Sequence, residues 1–350
     1  MNLQGISQLL VSIKKEGLFT MKADGKLCIG THDGNFHCDE VLAISMLKNL
    51  PEYADAKIIR SRNMAILDTC DIVVDVGAIY DPSRHRYDHH QKSFTETMSS
   101  LNPDFRWTTR LSSAGLVYYH FGKRILSQIL NCQEEPKMTH LYKKVYENFV
   151  EEIDAIDNGI ATHDGPSRYR ITTTLSSRVG GLNPNWLESG KVSIEERFEK
   201  ALQLVGSEFM NKVSYFAEVW YPAKINVENA VNNRFNVDPS GAIIEFPSGG
   251  VPWKEHLFTI EEEKGIENTI QFAVFPDDNG GWRVCGVPVA VGSFELRTPL
   301  RAEWRGIRDQ ELSNLLGIEG AIFVHANGFI GGHKTREGAL VMAKLSLNKS

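Results

Sequence analysis

Side chains that could hold metal ions recur at four places in the first half of the sequence. The segment 30–40, GTHDGNFHCDE, contains two histidines and three acidic residues. The other three places are Asp75 in the apolar run IVVDVG, Asp88-His89-His90 in RYDHHQKSF, and the pair Asp154 and Asp157 in IDAIDNG. Carboxylates and imidazoles are common ligands of divalent cations, so the pattern indicates metal-assisted chemistry.

Most of these residues have a simpler explanation when each is taken alone. Asp33-Gly34 is a turn signal, Asp39 could cap a helix, and Asp157 could lie at a helix end. Asp75 differs because valines flank it, and an unpaired buried carboxylate is costly. Several carboxylates brought together repel each other unless cations neutralise them. The segments therefore predict bound divalent metal, and oxygen and imidazole ligands favour Mn²⁺ or Mg²⁺ over zinc.

The elements that must position these residues alternate between strand and helix. Apolar runs predict strands at 26–30, 56–61 and 71–77, and helical spacing predicts a helix at 40–50. Such an alternation forms a parallel sheet, which gathers ligands at the carboxyl ends of its strands. Further helices are predicted at 112–130, at 139–157 and from about 193 to 219, with Ser112 and Thr139 as N-caps.

Composition changes after the last of these helices. The Asn, Pro and Gly content of 232–241 is typical of a linker. Beyond it, AIIEF, TIQFAVF and WRVCGVPV predict antiparallel strands, and the end of the chain predicts strand, glycine turn and helix. We predict an α/β first domain at 25–220 with a mainly parallel sheet flanked by helices. A linker at 221–240 and a smaller α+β domain at 241–350 follow it.

Composition excludes several classes of protein. The chain has 350 residues, 42% of them hydrophobic, and a formal net charge of −6, which argues against a broadly basic nucleic-acid coat. The five cysteines lack a C-x-x-C pair, which favours a reducing compartment and no disulfide framework. No apolar run is long enough to span a membrane. The first 24 residues lack arginine and include Glu16 and Asp24, so they match a mitochondrial presequence poorly.

The order HDGNFHCDE, VVDVG, YDHHQKSF and AIDNG resembles the four metal motifs of the DHH phosphoesterase superfamily. That superfamily includes single-strand exonucleases, nano-RNases, cyclic-dinucleotide phosphodiesterases and manganese pyrophosphatases. With PLRAEWRGIRDQELS and FVHANGFIGGHKTREGA, these segments resemble more closely the melanocyte-proliferating-gene-one family, which is assigned 3′–5′ RNA exonuclease activity. The resemblance extends from about Gly30 to Ala343.

The resemblance implies two metal sites that share Asp75 as a bridging ligand. One site would use His32, His37 and Asp75, and the other would use Asp39, Asp75, His89 and Asp157. Most relatives have a carboxylate at the position of His37, so Asp33 is the alternative ligand. We favour His37 because His37-x-Asp39 keeps the usual alternation. Asp157 is preferred over Asp154 because DNG resembles the DTG of small-RNA nucleases.

The same resemblance implies a role for each residue around the two histidines. His89 would bind metal, and His90 would face the scissile phosphate as hydrogen-bond donor or acid. Asp88 would orient an imidazole, and Lys92 would offset phosphate charge. The implied reaction is phosphodiester hydrolysis that uses two metal ions and releases a 5′-nucleotide.

The second domain is expected to select the substrate. The segment GFIGGHK (328–334) resembles a Gly-Gly-His substrate motif, and backbone N–H groups before a helix suit a phosphate. The expected contacts in this domain are Arg305, Gly331, Gly332, His333 and Lys334. Arg178, in the segment TLSSRVGGLNP of the first domain, is a further candidate that the resemblance implies. A wider basic lining would add Arg297, Arg301 and Arg336, with Trp304 as a stacking face.

Two other functions fit the same motifs. A small-molecule phosphoesterase, such as a pyrophosphatase, would use the same metals, and a non-catalytic nucleic-acid-binding protein would keep the fold. Single-stranded RNA is the expected partner. DNA stays an alternative because the 2′-hydroxyl contact is a single hydrogen bond. We expect an intracellular protein without membrane association, and the resemblance implies the nucleus and the mitochondrion in addition to the cytoplasm.

Overall fold

The computed structural model describes residues 26–188 and 190–348. The chain divides into two compact units, Met1–Phe216 and Ala217–Ser350. The expectation about a presequence concerns residues outside the described part. All five cysteines are free thiols, and none of the described helices is long and apolar enough to cross a membrane.

The first unit contains a five-stranded sheet. Its strands are β1 (Cys28–Thr31), β2 (Lys57–Arg60), β3 (Ile72–Val74), β4 (Tyr80–Asp81) and β5 (Arg86–Tyr87). They lie in the order β2-β1-β3-β5-β4, and all neighbours are parallel except β5 and β4. The predicted strands are therefore present, and they form a mainly parallel sheet.

Helices flank this sheet. They are α1 (Cys38–Leu47), α2 (Met64–Leu67), α3 (Met98–Leu101), α4 (Ser113–Leu130), α5 (Glu135–Val145), α6 (Glu151–Asp157), α7 (Leu175–Gly180) and α8 (Ile194–Ser214). A π-helical turn, Tyr146–Val150, joins α5 to α6. Every residue of α1 is buried, and the helix packs between α4 and α8. This packing holds the first turn of α1 in a fixed position beside the ends of the strands.

The structure confirms one of the two predicted N-caps. Thr139 is not an N-cap, because α5 begins at Glu135 with Pro136 in its first turn, where proline suits a helix start. Ser112 is the N-cap of α4, as predicted, but its side chain makes no capping hydrogen bond. Its hydroxyl instead contacts two aspartates of the candidate site.

The second unit contains another five-stranded sheet. Its strands are β6 (Ile243–Glu245), β7 (Phe272–Pro276), β8 (Trp282–Gly286), β9 (Ala321–Val324) and β10 (Ile330–His333), in the order β6-β7-β8-β10-β9. Its helices are α9 (Tyr221–Asn232), α10 (Arg234–Val237), α11 (Trp253–Lys264), α12 (Asp309–Leu316) and α13 (Arg336–Leu347). The chain is thus a mixed α/β protein with two five-stranded sheets flanked by helices.

Three predictions about this part differ from the structure. The strand β6 is parallel to β7, not antiparallel, because α11 returns the chain to the same edge of the sheet. Helical structure does not stop at Val219 but continues through a π-helical turn, Tyr215–Trp220, into α9. Pro222 is tolerated because it lies in the first turn of α9. The stretch 221–240, predicted to be a linker, accordingly contains α9 and α10.

Candidate metal centre

Three neighbouring parallel strands deliver the predicted ligands to one edge of the first sheet. His32 follows the last residue of β1, Asp75 follows β3, and Asp88 follows β5. The start of α1 and the end of α6 complete the arrangement with His37, Asp39, Glu40 and Asp157. A cavity of about 810 Å³ opens there, and it is lined by His32, His37, Asp39, Asp75, His90 and Asp157 among others.

Asp75 lies at the centre of this group in an unusual backbone conformation. Its φ angle is 56°, in the left-handed region that residues other than glycine seldom adopt. Gly77 and Ala78 also have positive φ, so the chain turns sharply as it leaves β3. Such strain persists where the surrounding structure fixes it, commonly at functional sites. The turn places the buried Asp75 carboxylate at the sheet edge.

The two oxygens of Asp75 face different imidazoles. Its Oδ2 lies 3.5 Å from His32 Nε2, and its Oδ1 lies 3.6 Å from His89 Nε2. On the first side, ligand atoms of His32, His37, Glu40 and Asp75 all lie within 4.8 Å of one another. A carboxylate that serves two groups of ligands in this way has the placement of a bridging ligand.

The second side gathers around His89. Its Nε2 lies 3.0 Å from Asp157 Oδ2 and 3.8 Å from Asp39 Oδ2. Ligand atoms of Asp39, His89 and Asp157 also lie within 4.8 Å of one another. Asp154, the less favoured candidate, is buried and hydrogen-bonded to Ser112 and Tyr146 instead.

Electrostatics at the site show a shortage of positive charge. Burial lowers the pKa of His32, but the carboxylates of Asp75 and Glu40 outweigh it and raise the pKa to about 10. Burial also opposes the charge on His89, whose pKa rises to about 11 beside Asp157 and Asp75. Burial and the neighbouring Asp75 and Asp157 raise the pKa of Asp39 well above its usual value. The cluster of carboxylates therefore favours the binding of positively charged groups at this site.

The imidazole nitrogens fit a metal ion. His32 Nε2 and His89 Nε2 are buried and make no well-directed hydrogen bond, although carboxylate oxygens lie nearby. Buried polar atoms normally have partners, so each exception calls for an explanation. A divalent ion would satisfy both nitrogens and the surrounding oxygens, and these residues fit such an ion.

His37 and Asp33 occupy different surroundings. His37 belongs to the group around His32. The Asp33 side chain is 56% exposed and pairs with Arg62 at 3.3 Å. The geometry therefore favours His37, the residue preferred from the sequence, as the ligand.

We expect His37→Ala to weaken Mn²⁺ binding by at least about tenfold, because loss of a residue that only orients a ligand already lowers metal affinity about 10–100-fold. Asp33→Ala is the matched control, and it should bind Mn²⁺ like the unaltered protein. Calorimetric titration of both variants measures the difference. Weaker binding by Asp33→Ala than by His37→Ala would move the ligand position to Asp33.

His90 is 60% exposed and faces the cavity, whereas His32 and His89 are buried. Its Nδ1 lies 2.7 Å from Asp88 Oδ1, which also accepts a hydrogen bond from the backbone N–H of His90. The second Asp88 oxygen accepts from the N–H of Ala78 at 2.5 Å. Asp88 therefore fixes the orientation of His90, and its hydrogen bond raises the pKa of that imidazole.

Comparison with known proteins places the chain in a family. A family model for a MYG1 exonuclease, described as Uncharacterised protein family (UPF0160), matches residues 28–347. The chain belongs to this MYG1 family.

Several MYG1 relatives match nearly the whole chain. The MYG1 exonucleases of Bos taurus and Homo sapiens are each 54% identical over 321 residues, 91% of this chain and 84% and 85% of theirs. The MYG1 protein of Dictyostelium discoideum is 46% identical over 328 residues, 93% of this chain and 97% of its own. The resemblance to the melanocyte-proliferating-gene-one (MYG1) family is thereby confirmed, and the resemblance to the DHH superfamily stays a prediction.

In this MYG1 chain the predicted glycine turn is a strand. Gly331 and Gly332 lie in β10 and pair with β8 on one side and β9 on the other. The expected phosphate cradle of free backbone N–H groups before a helix is therefore wrong in its geometry. His333 is buried, and its Nδ1 accepts a hydrogen bond from the N–H of Thr335. Substrate contacts by these residues and by the exposed Lys334 stay predictions.

The predicted basic lining is largely paired within its own unit. Arg297 forms a buried ion pair with Glu261, and Arg336 pairs with Glu245. Trp304 is only 2% exposed, so it is not a stacking face. Arg301 and Arg305 of this lining donate to backbone oxygens, those of Leu345 and Leu300 respectively. In the first unit, Arg178 pairs with Glu208, and Lys92 is exposed.

Two contributors were missed in the sequence. Glu40 joins the group around His32, with its Oε1 3.1 Å from His32 Nε2. Its carboxylate also accepts a hydrogen bond from the backbone N–H of His37, the N-cap of α1, as in a capping box. Ser112 contacts Asp39 from a position 73 residues away, and no local pattern predicts such a contact.

Proposed function

We propose that this chain is a metal-dependent phosphodiester hydrolase, a 3′–5′ RNA exonuclease that releases 5′-nucleotides from single-stranded RNA. The placement of Asp75 between two groups of ligands carries the proposal, because a shared carboxylate suits a centre of two ions. The relatives named exonucleases support the nuclease function. The likeness to DHH phosphoesterase motifs supports Mn²⁺ or Mg²⁺ as the ions.

The ligand sets follow from the two groups. His32, His37 and Glu40 would hold one ion and Asp39, His89 and Asp157 the other, with Asp75 shared. Bound divalent ions supply Lewis acidity, lower the pKa of water and neutralise charge that develops at phosphorus. Metal binding requires neutral imidazoles, so His32 and His89 must release protons as the ions replace them.

The chain's own residues then handle the substrate. His90 reaches into the cavity, and Asp88 holds its Nδ1, so its Nε2 is directed away from Asp88. An imidazole whose pKa is raised by Asp88 can donate a hydrogen bond to a phosphate oxygen or a proton to the leaving 3′-oxygen. Lys92 is close in sequence to His90, and we propose that it offsets the charge of the phosphate.

A small-molecule phosphoesterase is the second candidate. The cavity of about 810 Å³ is within the usual range for a small-ligand site, and pyrophosphate or a dinucleotide would require the same metal groups. A non-catalytic nucleic-acid-binding protein would not require the oriented His90.

We propose an intracellular location for the exonuclease, in line with the free thiols of all five cysteines.

A substrate screen with the Mn²⁺-loaded protein separates these functions. We expect a short single-stranded RNA to be degraded to 5′-nucleotides, with slower or no hydrolysis of DNA and pyrophosphate. Hydrolysis of pyrophosphate with intact RNA would favour the small-molecule enzyme. RNA binding without hydrolysis of any substrate would favour the binding protein.

A further inference from the structure

A second buried carboxyl lies behind the metal centre and reaches it through one hydroxyl group. Asp154 and Ser112 are both fully buried. Ser112 Oγ lies 2.6 Å from Asp39 Oδ1 and 2.7 Å from Asp154 Oδ1. The backbone N–H of Ser112 donates to the same Asp154 oxygen at 2.9 Å. The serine therefore joins a ligand of the proposed centre to an acid outside the ligand groups.

The number of available protons determines how this chain of hydrogen bonds works. A serine hydroxyl has one proton, so it can donate to only one of two carboxylates. If both were ionised, one oxygen would face a hydroxyl lone pair in a buried place, which is costly. The hydroxyl therefore fits a pair in which one carboxyl is protonated and the other is ionised. Asp154 lies outside the ligand groups, and burial raises its pKa to about 7.

The resulting direction of the hydrogen bonds fixes the Asp39 carboxylate. With the proton on Asp154, that carboxyl would donate to Ser112 Oγ, and Ser112 Oγ would donate to Asp39 Oδ1. The N–H of Ala114 donates to the same Asp39 oxygen at 2.6 Å. Asp39 Oδ2 accepts only from the N–H of Ser113 at 3.0 Å and faces His89 Nε2 at 3.8 Å. The hydrogen bonds thus hold one oxygen and leave the other available to an ion.

Local sequence provides the space that Asp154 needs. A Cβ atom at Gly115 would overlap the Asp154 carboxyl, so only glycine admits this side chain beside the first turn of α4. Tyr146 donates its hydroxyl to the other Asp154 oxygen, Oδ2, at 3.0 Å. Tyr146 thus holds only Oδ2, and the contacts of Oδ1 to Ser112 do not involve it.

We propose that Asp154 is a positioning residue for the metal centre, which aligns the Ser112 hydroxyl so that Asp39 presents Oδ2 to the ions. This role rests on the proposed function, because it requires Asp39 to be a metal ligand. Asp154 itself touches neither metal nor substrate. It acts through Ser112, whose hydroxyl contacts Asp39, and hydrogen-bond partners of a metal ligand orient that ligand.

Three variants and one double variant test this role by Mn²⁺ calorimetry and thermal unfolding. Ser112→Ala removes the hydroxyl. Asp154→Asn replaces a carboxyl oxygen that contacts both Ser112 N–H and Ser112 Oγ. An amide oxygen can only accept and an amide nitrogen can only donate, so neither atom can make both contacts. Each should weaken Mn²⁺ binding about 10–100-fold. The double variant should bind Mn²⁺ no more weakly than the weaker-binding of the two single variants, because both changes break the same chain of contacts.

Tyr146→Phe is the matched control because it removes a hydrogen bond to Asp154 on the side away from Ser112. It should lower the melting temperature yet leave Mn²⁺ affinity unchanged. A purely structural role for Asp154 predicts that Mn²⁺ affinity falls with stability in all variants, Tyr146→Phe included, and that result would overturn the proposal.

Ser112→Ala carries the test by itself if Asp154→Asn does not fold, because the Ser112 side chain makes no capping bond that α4 would lose. Unchanged Mn²⁺ affinity in Ser112→Ala would show that Asp39 needs no such positioning. Absence of divalent-ion binding in the unaltered protein would instead refute the proposed function, and with it this role.

Discussion

Asp75→Asn is expected to abolish binding of the two metal ions and to lower the rate of phosphodiester hydrolysis by at least about a thousandfold. Asparagine keeps the shape of the side chain but removes the charge that faces both His32 and His89. Metal ions contribute several kcal/mol to transition-state stabilisation, and each 1.36 kcal/mol is a tenfold change in rate. Mn²⁺ calorimetry and the hydrolysis rate on a labelled RNA measure the two losses.

Asp68→Asn provides the control for this change. Asp68 is also an aspartate of the first unit, but its exposed side chain pairs loosely with Arg84 at 3.9 Å. The control variant should bind Mn²⁺ and degrade RNA normally. Circular dichroism must show that Asp75→Asn stays folded. A folded Asp75→Asn protein with the original Mn²⁺ affinity and rate would mean that the metal centre is wrongly assigned.

His90→Ala is expected to lower kcat about 10²- to 10⁴-fold, the usual contribution of a general acid or base. Mn²⁺ affinity should stay close to that of the unaltered protein, because His90 is largely exposed and held by Asp88. Rates at saturating RNA and calorimetry on the same sample separate the chemical step from metal binding.

His140→Ala serves as the control, since His140 is an exposed histidine on α5 whose Nδ1 contacts the backbone oxygen of Pro136. It should change neither quantity. His90 also lies near Asp75, with Nδ1 3.5 Å from Oδ1. If His90→Ala loses Mn²⁺ as strongly as Asp75→Asn, His90 is a ligand and does not act as the acid of this account.

Local sequence was sufficient to predict the edge of the first sheet. Apolar runs that end near His32 and Asp75 predict strands that stop where polar side chains begin, whereas the short strand before Asp88 was not predicted. Parallel strands place their carboxyl ends together, so the meeting of these residues follows from the alternation of strand and helix. The left-handed backbone at Asp75 does not follow, because such a conformation depends on the turn packed around it.

Non-local partners account for most of what the sequence did not predict. The Gly331-Gly332 pair is typical of a turn, but β8 and β9 lie on both sides and draw it into a strand. Arg297 and Arg336 were predicted to line a substrate site, but they pair with Glu261 and Glu245. Pairing across tens of residues leaves no local pattern in a single sequence, so these side chains could not be assigned without the fold.

The most direct test of the central claim is the degradation of a 5′-labelled single-stranded RNA by metal-stripped protein, with and without added Mn²⁺. The account predicts no cleavage after chelation. Added Mn²⁺ should restore stepwise shortening from the 3′ end, with release of 5′-nucleotides, in the unaltered protein but not in Asp75→Asn. Undiminished cleavage in the presence of chelator, or no cleavage with Mn²⁺ or Mg²⁺ bound, would contradict it.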